Sequence, residues 1–122
     1  MENIATMEEM KTLASCINKM VLEGYTEDYK VNETSGQLVS LRDEKNYRPD
    51  QVHIVNFYRF EGASDPADNS ILYVIETDDG KKGTLIDAYG PYADQHVTKF
   101  IKRVEDISKK TNSEENDTST NR

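Results

Sequence analysis

The sequence predicts an α+β fold, a two-layer sandwich with a helix at each end packed on an antiparallel sheet of about five strands. Two observations carry this. Apolar residues recur at helical spacing only near the two ends, over Met7–Val21 and Val97–Ile107. Between them lie short runs rich in aromatic and β-branched residues, separated by turn residues and by connections too short for a β-α-β crossover. The element order is α-β-β-β-β-β-α, and antiparallel pairing is the natural outcome.

In the first helix, Met7, Met10, Leu13, Ala14, Ile17, Met20 and Val21 form one face. Thr6 to Glu9 fits a capping box, and Gly24 supplies the left-handed residue that ends a helix. Tyr29–Asn32 and Leu38–Leu41 read as a weakly apolar hairpin at the sheet edge, turning through Thr34-Ser35-Gly36. Asp43–Asp50 is a charged connection that Pro49 keeps out of any ladder. Val52–Glu61 is the longest strand candidate. After a loop over Gly62–Asn69, Ile71–Thr77 returns, and Asp79-Gly80 suits a two-residue type I′ turn into Thr84–Tyr89. Asp94 is placed to cap the second helix, whose stripe is Val97, Phe100, Ile101, Val104 and Ile107. Residues 110–122 hold no apolar side chain past Lys110 and read as a disordered tail, leaving one domain over 6–109.

Composition limits the function classes. A net charge of −8 with no basic block argues against nucleic-acid and anionic-membrane surfaces. The N-terminus has neither a signal-type apolar core nor the roughly 20 apolar residues of a membrane span. Cys16, the single cysteine, forms no internal disulfide and reads as a small buried hydrophobe, so the expected location is cytoplasmic.

Counting back from a two-residue turn sets Val74 opposite Leu85 and Leu72 opposite Asp87. Pairing Glu61 with Ser70 sets Arg59 opposite Leu72 and Phe57 opposite Val74. One face then carries Tyr58, Phe60, Ile71, Tyr73, Ile75, Ile86 and Ala88, suited to both helices. The other holds Phe57, Val55, Val74 and Leu85, ringed by Arg59, Glu61, Glu76, Asp87 and Tyr89. That mixed face is the candidate site, to be covered by the first hairpin, a second subunit or a ligand. Arg59 and Asp87, two strands apart, fit either an anion or carbonyl site or a plain cross-strand ion pair, and the ion pair is favoured.

Chemistry-bearing motifs are few. Asp65 and Asp68, near Asn69 and Glu61, lack calcium-loop spacing and suit ordinary turn chemistry. His53 and His96 have no partner at metal-ligand spacing, so no metal is expected. No nucleophile–base pair emerges from Ser64, Ser70 and the histidines, and no phosphate loop is present. No cofactor is predicted and no catalytic residue is assigned.

At EGYTEDY (Glu23–Tyr29), FYRFEGASDPAD (Phe57–Asp68), ILYVI (Ile71–Ile75) and DAYGPY (Asp87–Tyr92) the chain resembles a small family of short bacterial proteins of unknown function. Many of them carry the label phosphoribosylpyrophosphate synthetase. The likeness spans roughly Met10 to Val104, and FYRFEG-x-SDP-x-D is its most specific part. It implies a self-contained domain and, through the label, a link to phosphoribosyl metabolism. It brings no catalytic residue: the acidic-plus-hydroxyl loop of a true synthetase has no counterpart here. The leading expectation is a binding domain acting through self-association or a protein partner. The alternative is a sugar-phosphate or nucleotide binder, with Arg59 as anion contact and the Asp65–Asp68 loop as lid.

Overall fold

The computed structural model describes residues 12–61, 69–88 and 90–120, the stretch past 110 as backbone. Helix α1 spans Leu13–Leu22, with the Thr12 hydroxyl accepting from the Ser15 N–H at 3.1 Å as its cap. The capping box expected at Thr6 lies outside the described residues. Gly24, at φ +100°, ends the helix as expected: the Tyr25 N–H reaches back to the Met20 carbonyl and the Gly24 N–H to that of Val21.

The sheet has six strands, β1 Glu27–Val31, β2 Leu38–Ser40, β3 Asn46–Tyr47, β4 Val52–Phe60, β5 Ser70–Thr77 and β6 Lys82–Ala88, in the spatial order β3-β2-β1-β6-β5-β4. Helix α2 spans Gln95–Thr120, and Asp94 caps it by accepting the His96 N–H at 2.8 Å. No helix among the described residues is long and apolar enough to cross a membrane.

The protein is α+β, helix first and helix last, but the sheet is mixed where an antiparallel one is expected. β1 runs parallel to β6, Tyr29 beside Leu85, and antiparallel to β2. The first hairpin therefore lies inside the sheet and not at its edge. Gly83 permits the seam. A Cβ there would stand 2.6 Å from the Glu27 Cβ and closer still to the Glu27 carbonyl. The extra strand, β3, forms within the expected charged connection, immediately before the turn at Pro49–Gln51.

Two one-residue differences in register separate expectation from structure. The Thr77 N–H bonds the Lys81 carbonyl, and Glu76 pairs with Lys82, so Asp78, Asp79 and Gly80 form a three-residue loop. Among these only Gly80 has positive φ, at +88°. A type I′ turn needs Asp79 there as well, but its carboxylate is held by Thr77, Lys45 and Tyr47. Across the longer loop, Phe60 and not Glu61 pairs with Ser70. The shifts cancel between β4 and β6 and turn β5 over.

The helices consequently lie on opposite faces, where the two-layer expectation puts both on one. Phe100, Ile101 and Val104 of α2 pack with Tyr29, Leu38, Ile75 and Leu85. Cys16 and Met20 of α1 pack with Phe60, Leu72 and Val74 on the other side. β5 is buried on both of its faces, which is why ILYVI is a continuous apolar run without alternation. Past Lys110, where the sequence reading places a disordered tail, the α2 backbone stays helical to Thr120.

Candidate functional site

The two ends of the sheet are built differently. β3 is two residues long and Pro49 follows one residue after it, the short and broken edge that soluble proteins use against unwanted pairing. β4 is nine residues long, the longest strand, and has β5 as its single neighbour. It is an edge strand, where the sequence reading makes it half of a central hairpin. Arg59 is the only Asp, Glu, Lys or Arg between Val52 and Phe60, in a chain with 23 acidic and 15 basic residues. Among the described residues its one protective device is a bulge at Val55, between Ile54 and Asn56.

Beside this edge runs a furrow walled by α2. One hollow of about 370 Å³ lies between the Val52–Phe57 backbone and Val104, Glu105 and Ser108. A second, of about 290 Å³, shares Val52, His53, Val104 and Ser108 and continues to Pro49, Asp50 and Ile107. Val55 and Phe57 are each 48% exposed and Ile107 39%, so large apolar groups rim the furrow. Among the described residues its lining contains the carboxylates of Glu105 and Asp50, the latter paired with Arg48 at 3.1 Å, and no Lys or Arg.

The expected mixed face is dispersed. Phe57 and Arg59 remain on it at the edge, the guanidinium 5.5 Å from the Phe57 ring centroid and that ring 6.5 Å from Tyr73. Leu85 is 2% exposed in the core formed with α2, so it is no contact surface. Asp87 shares the face and lies in register with Arg59 through Ile71, two strands apart as expected. Its carboxylate accepts the Ala88 N–H at 2.7 Å and the Asp94 N–H at 3.1 Å, which ties down the approach to α2. Burial raises its pKa, opposed by those two backbone bonds.

Glu76 sits on the opposite face, a correction forced by the turning of β5, and accepts from the Tyr25 hydroxyl at 2.9 Å. That bond, first among several causes, raises the Tyr25 pKa. Glu61 is exposed at the end of β4. Asp65 and Asp68 lie outside the described residues.

Both histidines pair with aspartates: His53 Nε2 stands 2.9 Å from Asp78, and His96 Nδ1 stands 3.1 Å from Asp94. Neither bonds a hydroxyl or thiol among the described residues. Cys16 is fully buried, and desolvation raises its pKa, the reverse of what a nucleophilic thiol needs. Glu33, Asp94 and His96, all exposed, bring ligand-type atoms within 4.8 Å of one another. Asp94 is already spent as helix cap and imidazole partner there, and Lys99 and Arg103 line the adjoining hollow.

The open edge and its furrow are what sequence reading misses. The available signal is the charge-poor run at Val52–Phe60, which looks like a protected central strand. Ile107, at the end of the helical stripe, is the other. No known family, curated protein or solved structure matches the chain.

Proposed function

We propose that this protein is a cytoplasmic protein-interaction module that works by strand addition along the open edge of β4. The observation that carries the reading is the asymmetry of the sheet: one edge is cut to two residues, while the other presents nine residues with a single charge. An exposed edge offers a row of main-chain donors and acceptors, and a neighbouring apolar furrow gives side-chain selectivity. Val55, Phe57 and Ile107 would take the apolar side chains of an incoming strand. The likeness to the synthetase-labelled family adds no residue to this reading.

A small-molecule reading draws on the same furrow, since about 370 Å³ falls within the size of ligand clefts. A sugar phosphate or nucleotide in that hollow would meet the Glu105 carboxylate and no Lys or Arg among the described lining residues, so strand addition accounts for the chemistry better.

The test is a display selection of random peptides on the immobilised chain, followed by amide exchange of the complex. Apolar peptides that bind and slow exchange across Val52–Phe60 are the expected result. Selection that yields no binder, or binders indifferent to Phe57→Lys, overturns strand addition by foreign chains.

A further inference from the structure

We infer that the strand added to β4 is β4 of a second copy of this chain, pairing antiparallel about a two-fold axis near Phe57. The inference rests on the strand-addition reading and names its partner. An isologous contact requires a surface complementary to itself, and this edge meets that condition in charge.

A dyad at Phe57 sets Arg59 opposite Val55 and Tyr58 opposite Asn56, so no like charges face each other. Moving the axis to Asn56 would set Arg59 opposite His53 and Phe57 opposite Val55, parting the two Phe57 rings. With the axis normal to the sheet, the faces are preserved and the two α2 helices lie on the same side. Arg59 of each copy then reaches the other copy's furrow at Val55, where Glu105 stands. The strand brings one cation and no acid; the furrow offers carboxylates and no cation. Charge complementarity of this kind sets register and rejects wrong partners. The two Phe57 rings, half-exposed in one copy, meet at the axis, and each has the other copy's half-exposed Val55 as its diagonal neighbour. Cross-strand aromatic and β-branched pairs are the units that stabilise such a junction.

Sedimentation equilibrium of the full chain over a wide concentration range tests this, beside the double variant Val55→Lys, Phe57→Lys. Lysines on an edge strand are the usual guard against pairing. The expected result is a dimer whose dissociation constant rises by about 100-fold or more in the variant, with unchanged far-ultraviolet dichroism. Because Cys16 is buried, a second variant, Phe57→Cys, should form a disulfide-linked dimer on mild oxidation while the parent chain forms none.

A monomer at every concentration overturns the inference. If edge-dependent peptides still emerge from the display selection in that case, strand addition stands with a foreign partner. A dimer unaffected by the two lysines and uncrosslinked at position 57 also overturns it. If no peptide binds either, both readings fall together.

Discussion

Asp79 gathers more hydrogen bonds than any other described carboxylate, and it does so at the tip of a hairpin. Its Oδ2 accepts from Lys45 and from the Tyr47 hydroxyl, both at 2.8 Å, and its Oδ1 from Thr77 at 2.5 Å. These bonds, led by Lys45, hold its pKa well below the ordinary carboxylate value, while burial and the Asp79 bond push Tyr47 up to about 12. A depressed folded-state pKa adds stability that is complete above the unfolded value of about 3.9 and is lost as pH falls through the folded one. Asp43 and Asp94, also lowered, share that sign, whereas Asp87, raised, opposes it. Asp79→Asn should therefore cost roughly 1–2 kcal/mol near neutrality. It should also flatten the fall in urea midpoint between pH 6 and pH 2.5. An unchanged acid limb in the variant would place the sensitivity elsewhere. None of this was legible in Asp-Gly read as a two-residue turn, because the partners Lys45 and Tyr47 come from β3, which local sequence did not announce, and the residue just before it.

At the scale of elements, Gly83 decides whether β1 joins the sheet at all. The Cβ of an alanine would overlap the Glu27 backbone, at the start of a strand that its ladder from Tyr29 to Val31 ties to β2 on the other side. Gly83→Ala should lower stability by roughly 3 kcal/mol, measured by equilibrium unfolding in urea. A loss under about 0.5 kcal/mol, the scale of a neutral surface change, would mean that the strands part without cost. An isolated glycine inside a strand pattern signals close backbone approach, but beside Gly80 it looked like turn chemistry. The end of α1 at Gly24, the Asp94 cap of α2 and the strand centres were readable because caps, a left-handed glycine and apolar period are local properties. Pairing was not. The register shift at the Asp79 loop goes with side chains distant in sequence, Lys45 and Tyr47, and β5, apolar on both faces, gave no alternation to orient it. Arg59 and Asp87 still fell on one face because the shifts cancelled.

At the scale of the molecule, α2 outruns its own core. Its buried residues are Val97, Phe100, Ile101 and Val104, and the sequence past Lys110 has no apolar residue to add. Ending the chain at Lys110 should leave the thermal midpoint within about 2 °C, since surface changes away from packed groups stay within about 0.5 kcal/mol. The loss of helical ellipticity would match the residues removed. A fall of 10 °C or so would assign the terminal turns a packing role.

The sheet also has a history written into its order. β1–β2–β3 and β4–β5–β6 are each built from neighbours in sequence, whereas the β1·β6 pairing closes the whole chain between Tyr29 and Leu85. Closure entropy grows with the length of the loop closed, and non-local parallel pairing is intrinsically slow. The seam is therefore the costliest junction in the sheet to make first, and assembly turns on two locally nucleated halves meeting at a glycine.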